Sequence, residues 1–442
     1  MRRINQRGLV AALESEDEAA AAAAATDDTT TAVVEDPIGE NAESLETDLI
    51  DVADAEAETG EQEAQVEEAV EVAEALESIA DSLRSVAGAG GLSKEAAHTL
   101  GLSLEHMYGR VGVSAAVRTM PALESFGGTS SRVQATTLAM EEIQAQAKEL
   151  WAKILAAIEK SIAWVKEKLE LYFGASGKIK ARAEGLAKAA AGKSGDAKAA
   201  ELENGRLFGA LHVDGKVDNV VGTAGEIKGS IDALFNTAPE RVAALAAFVD
   251  SGDEKALGSF FDSLFPSGAL SEVSNAEADG FKVAEGFEVY RSHELPGGKA
   301  VVAVMPGKSA TKVSEDLVNS SISISAFKPN AKAPEGKVKT LAPTEVEKLA
   351  KEVAVLADAF QAHKLKLIKG NDEKKKLVAA IKKHGAGADT PEGKKAAKAA
   401  RSTMSALSKL IDNPVAGGAA YLLNTSKALL DLCEESLKQY AK

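Results

Sequence analysis

LWAKILAAIEKSIAWVKEKLELYF, residues 150–173, is the stretch that decides the fold class. Leu150, Ile154, Ile158, Ile162, Val165, Leu169 and Tyr172 recur at steps of three and four residues, the period of one helix face. Ser130 or Ser131 can cap the start, so the spacing predicts a helix running to about Phe173. Trp151 and Trp164, the only tryptophans, lie near this stripe, and Lys153, Lys160, Lys166 and Lys168 line the remaining surface. The stripe reads as core against other helices. The alternative is a basic amphipathic helix lying on a membrane surface.

Working towards the C terminus, Gly174–Gly177 reads as a break, and a second basic helix follows over Lys178–Ala191. Residues from Glu226 to about Phe265 read as two further helices, stopped by Pro266-Ser267-Gly268. The period then changes. Phe287–Ser292 and Ala300–Met305 read as strands joined by the turn Leu295-Pro296-Gly297-Gly298, and Ile322 and Ile324 alternate with serines as a third strand. Beyond a Pro-containing stretch, Lys328–Pro334, the chain is helical again: Pro343–His363, a lysine-rich continuation through Lys383, Pro391–Ile411, and a last helix opened by Asn413-Pro414.

Working towards the N terminus, Met120-Pro121 to Gly127-Gly128 reads as an exposed hinge, because proline and paired glycines deny both helix and strand. Leu92–Val117 reads as a modest helical region with Ser93 as its cap. Residues 11–80 are mostly Ala, Glu, Asp and Thr, so on their own they are expected to be disordered or transiently helical. Arg2, Arg3 and Arg7 lead into Glu14, Glu16, Asp17 and Glu18 rather than an apolar core, which argues against a secretory signal.

The net charge of -16 conceals a division. Residues 1–124 hold 27 acidic and 7 basic side chains and carry -20, whereas the remaining residues hold 40 and 44 and carry +4. Within the latter, residues 331–442 hold 21 bases against 13 acids. The fold class read from all this is mainly α: an elongated helical body, a small antiparallel β-sheet at about 281–327, and a disordered acidic N-terminal segment. Four regions follow: an acidic segment over 1–124, a basic amphipathic helical region over 125–200, an α+β region over 201–330, and a lysine-rich helical region over 331–442.

Few residues offer chemistry. The single cysteine, Cys433, excludes an internal disulfide and a Cys-based zinc site, and the six histidines lack zinc-ligand spacing, so no metal and no cofactor is expected. Gly192-Lys193-Ser194 and Gly307-Lys308-Ser309 resemble the end of a phosphate-binding loop, but Ala187 and Val302 stand where its first glycine belongs. No catalytic motif is present, which points away from an enzyme.

One signal stands out. Ala-Leu-Glu-Ser occurs at residues 12–15, 75–78 and 122–125 and nowhere later. The third copy falls on the charge boundary and on the Pro/Gly hinge, where exposed backbone would admit a protease. The candidate cleavage residues are Glu124 with Ser125, Glu77 with Ser78, and Glu14 with Ser15.

With Ala122-Leu123-Glu124 followed by Ser125, and the Trp-bearing, Lys-rich helix just beyond, the chain resembles the internal head (inner-body) proteins of large tailed bacteriophages. The resemblance covers about residues 1–190. It implies a propeptide removed by a prohead protease that cuts after glutamate in small-x-Glu or Leu-x-Glu motifs, and a mature part packaged with double-stranded DNA inside the capsid. It also implies assembly in the host cytoplasm beside capsid or scaffold proteins, and entry into the host on injection. An injected effector acting on a host enzyme is the alternative activity. Lys374, Lys375, Lys376, Lys382, Lys383, Lys394, Lys395 and Lys398 are the candidate contacts for non-specific DNA binding, and a membrane is not the first expectation.

Overall fold

The computed structural model describes residues 39–112, 120–251, 270–274, 280–281, 283–307, 317–332, 334–385, 399–400, 402–403 and 406–440. Its elements are α1 (Gly39–Gly88), α2 (Lys94–Arg110), a 3₁₀ turn (Leu123–Phe126), α3 (Thr129–Ala191), β1 (Glu201–Leu202), α4 (Gly205–Leu211), α5 (Val220–Ser251), β2 (Ser271–Glu272), β3 (Phe287–Arg291), β4 (Lys299–Pro306), β5 (Ser321–Ala326), β6 (Val338–Lys339), α6 (Pro343–Ala362), α7 (Lys364–Gly385) and α8 (Asn413–Lys438). The chain forms two compact units, one containing residues 61–161 and the other residues 32–60 with 162–442. A mainly helical chain with a small antiparallel sheet is what the sequence predicts.

The first unit is a three-helix bundle made of α1 from residue 61, α2, and α3 up to residue 161. Trp151 Nε1 donates to Glu77 Oε1 at 3.1 Å, and the Leu92 amide donates to Thr136 Oγ1 at 2.8 Å. Glu77 is on α1 and Leu92 just past its end, while Trp151 and Thr136 follow the opposite order on α3, so α1 and α3 run antiparallel. Ala69, Val70, Val72, Ala73, Leu76, Ala80 and Leu83 are buried along α1, and Ala135, Ala139, Ile143, Ala147, Leu150, Trp151, Ile154 and Ile158 along α3. The turn after α1 needs glycine: Gly91 sits at φ +83°, and a Cβ there would lie 2.7 Å from the Arg132 backbone. Ser93 accepts from the Ala96 amide and caps α2. Arg110, at the far end of α2, reaches back to Glu68 at 3.1 Å and Glu71 at 2.8 Å on α1.

The acidic stretch expected to be disordered on its own is therefore helical from Gly39 onward. Small and branched apolar residues at steps of three and four supply a narrow stripe, and α3 supplies the partner without which that stripe could not offset chain entropy. Glu14 and the rest of residues 1–38 lie outside the described residues.

In the second unit α5 packs against α6, α7 and α8, and α8 also packs against α4, α6 and β5. Phe360 of α6 stacks on Phe173 with ring centroids 4.8 Å apart and meets Phe235 of α5 at 5.4 Å. The sheet runs β2-β3-β4-β5, all antiparallel, with Tyr290 opposite Ala303 and Ala303 opposite Ile322. Its hairpin is the one read from Leu295–Gly298: Gly297 and Gly298 adopt φ of 75° and 63°. The two-residue strands β1 and β6 pair with each other. They and β2 are too short to show a period, so the sequence could not announce them.

One helix boundary is corrected. α3 does not break at Gly174–Gly177 but runs on to Ala191. Two glycines cost a helix about 1 kcal/mol each, but Ala175, Ser176 and Ile179 between and beyond them are fully buried. Ser176 Oγ donates to the Ala357 carbonyl at 3.2 Å, Gln361 Nε2 donates to the Phe173 carbonyl at 2.5 Å, and Lys180 pairs with Asp358 at 2.7 Å. α6 thus holds α3 helical through its weakest turn. α5 runs unbroken through Pro239 to Ser251, and the remainder of the stretch read as two helices, with its Pro266-Ser267-Gly268 stop, lies outside the described residues. On the same helix the buried Arg241 donates Nη2 to the Leu234 carbonyl, Nε to that of Thr237 and Nη1 to that of Leu410. Burial lowers the Arg241 guanidinium to about 10. The predicted Pro391 start lies outside the described residues, and a π-helical turn, Ser408–Asp412, leads into α8.

Candidate processing turn and lysine-rich helix

The described copies of Ala-Leu-Glu-Ser occupy different surroundings. The third is folded as the 3₁₀ turn between α2 and α3, where the Ser125 amide donates to the Ala122 carbonyl at 2.9 Å and the Gly127 amide to the Glu124 carbonyl at 3.2 Å. Glu124 is exposed and Ser125 half-buried. Phe126, 1% exposed, anchors the turn in a small cluster with Ala97 of α2 and Ala135 of α3, against which Leu92, Met120 and Leu123 pack. The exposed hinge read from the sequence is thus exposed at the glutamate and pinned two residues later.

The second copy lies inside α1. Leu76 is fully buried, Glu77 is half-buried and bound to Trp151, and the carbonyl of exposed Ser78 accepts from Ser82 Oγ at 2.9 Å. Glu14 and Ser15, the first copy, lie outside the described residues.

The lysines divide in the same way. α7 carries eight lysines against Asp372 and Glu373. Lys375, Lys382 and Lys383 are exposed, and Lys376 pairs with Glu373 at 2.8 Å. Lys374 is corrected as a nucleic-acid contact: it is buried and ion-paired to the equally buried Asp412 at the start of α8. The exposed Lys369 joins the outer face, two helical turns before Lys376 and four before Lys383. That heptad spacing was readable in the sequence, where the triplet Lys374–Lys376 drew attention instead. Lys394, Lys395 and Lys398 lie outside the described residues.

A second ionic cluster gave no signal in the sequence, since its members are far apart along the chain. Arg182 of α3, 4% exposed, bridges Asp431 at 2.9 Å and Glu434 at 2.7 Å on α8. Burial works to raise both carboxyls, but for Asp431 the Lys427 hydrogen bond and the Arg182 charge prevail, and for Glu434 the Arg182 and Lys438 hydrogen bonds do. Both are held below their ordinary values. Burial pushes the Cys433 thiol up to about 12, so it packs as a small apolar group. Among the described residues no cluster of His, Cys, Asp or Glu could hold a metal ion, and no helix is long and apolar enough to cross a membrane. The stripe from Leu150 to Tyr172 is buried throughout, so it is core, and the membrane-surface reading is set aside. Trp164 stays half-buried under Lys168, whose Nζ lies 5.4 Å from the ring centroid.

Fold and site together define a mainly helical protein with an acidic N-terminal stretch seated through an apolar stripe, an exposed glutamate at the charge boundary, and a lysine-covered helix. A family model described as phiKZ-like phage internal head proteins matches residues 11–435, and the chain belongs to that family. Its place is accordingly inside the head of the phage virion. No curated protein and no solved structure matches it.

Proposed function

We propose that this internal head protein is a precursor, cut after Glu124 by the head maturation protease and then held in the capsid beside double-stranded DNA. The observation that carries the reading is that the copy of Ala-Leu-Glu-Ser on the charge boundary presents its glutamate on an exposed turn between helices. Proteases bind their substrates extended. Opening this turn breaks two backbone hydrogen bonds and frees Phe126, a local event that leaves the three helices intact.

The charge division gives the cut a consequence. A leader of -20 competes with DNA for the basic surface of the remainder, and its loss favours polyanion contact. Lys369, Lys375, Lys382 and Lys383 on α7 supply phosphate contacts without base readout. Capsid or scaffold proteins are the remaining partners of the assembled head. Mass spectrometry of purified particles tests the processing step: a chain beginning at Ser125 supports it, and an uncut chain removes it. Binding of that chain to unrelated DNA that weakens steeply with salt supports the packaging role; no binding at low salt sinks it.

A further inference from the structure

We propose that cutting after Glu124 does not by itself free the leader, and that the α1–α2 pair stays seated on α3 until a second cut at Glu77 divides the seat. This rests on the processing reading above and adds an order of events to it. Hydrolysis adds water across the Glu124–Ser125 peptide bond, leaving a new carboxylate on Glu124 and a new amine on Ser125. It changes one connection in a turn. The contacts that hold the bundle lie elsewhere: the buried stripe from Ala69 to Leu83, the Trp151–Glu77 hydrogen bond and the Leu92–Thr136 hydrogen bond. None of these depends on the 122–125 backbone.

The occupant of the apolar face of α3 between Ala135 and Ile158 is thus a segment of this same chain, held antiparallel to it. Once cut, it is a separate subunit whose release depends on dilution, because an intramolecular contact has become a bimolecular one. The confined interior of a head opposes that dilution. Glu77 lies within the seated stretch, with Leu76 fully buried beside it and its own carboxylate on Trp151, so a protease reaches it only when α1 lifts. A cut there puts Ala69–Leu76 and Ala80–Leu83 on separate pieces, so neither piece carries the whole apolar stripe that holds the seat. The spacing of the two copies then reads as a two-stage release that uncovers Trp151.

The full chain with a recognition sequence for a laboratory site-specific protease inserted between Glu124 and Ser125 tests this. After complete cutting, both fragments are expected to co-elute on size exclusion with the summed mass by native mass spectrometry, and tryptophan emission is expected to stay where it was. Fragments that separate at micromolar concentration, with emission moving to the red, overturn the proposal. Should the insertion disturb the turn, seen as a changed circular dichroism before cutting, the same site placed between the exposed Gly127 and Gly128 gives the same two outcomes. Adding Leu76→Asp is expected to make the cut fragments separate; continued co-elution with that substitution overturns the assigned seat. Because the cut is made by an added protease, neither result depends on whether Glu124 is the bond processed in the phage head.

Discussion

Residues 75–78 and 122–125 carry the same four side chains in the same order, yet one copy is sealed into a helix face and the other stands on a turn. The neighbours decide. Around Glu77 the apolar steps continue in both directions and α3 covers them; Glu124 lies past the end of α2 at Arg110 and before the start of α3 at Thr129, where Phe126 is the anchor. Lys374 and Lys375 repeat the lesson one residue apart, the first buried on Asp412 and the second in solvent. A motif states what chemistry is available, and packing states whether anything can reach it.

The largest effect should come from the lysine pair. Lys374→Ala leaves Asp412 charged and buried without its partner and should cost about 3–5 kcal/mol, read by chemical denaturation of the full chain. Lys375→Ala should change stability by no more than about 0.5 kcal/mol while lowering the salt slope of DNA binding by about one. Equal destabilisation by both would erase the contrast.

Next comes the contrast between the two glutamates. Brief treatment of the folded full chain with a glutamate-specific endopeptidase should cut at Glu124 on the order of 100-fold faster than at Glu77, because one needs a turn to open and the other a helix to lift. Comparable rates would show that the helical setting of Glu77 and its bond to Trp151 offer no protection. Phe126→Ala removes the anchor of the turn and should raise the rate at Glu124 about tenfold without changing that at Glu77. Glu77→Ala should destabilise the bundle by about 1.5–3 kcal/mol through the lost Trp151 bond, with a red shift in tryptophan emission.

The smallest effect is on pH. Asp431 and Glu434 are held below their ordinary values of 3.8 and 4.5, so their stabilisation is complete above those values and is lost as the pH falls through the lowered ones. Acid titration followed by circular dichroism should show this loss, and Arg182→Met should shift it towards higher pH.

The readings from local spacing agree with the structure where an element's own residues carry enough signal. The Leu150–Tyr172 stripe, the Ser93 cap and the Leu295–Gly298 hairpin are of this kind, since period and turn chemistry are written within a few residues. The failure at α3 has a physical cause. Gly174 and Gly177 look like a stop until Ser176 is seen against Ala357. A partner far along the chain holds the helix through its weak point.

By itself the sequence determined the helical class, the place where charge changes sign, and the three positions at which Ala-Leu-Glu-Ser occurs. Only the tertiary structure decided that the acidic stretch packs on α3, that Glu124 is exposed while Glu77 is tied to Trp151, and that Lys374 is withdrawn from the surface. Charge and period are properties of a segment, whereas burial belongs to the segment together with whatever packs upon it.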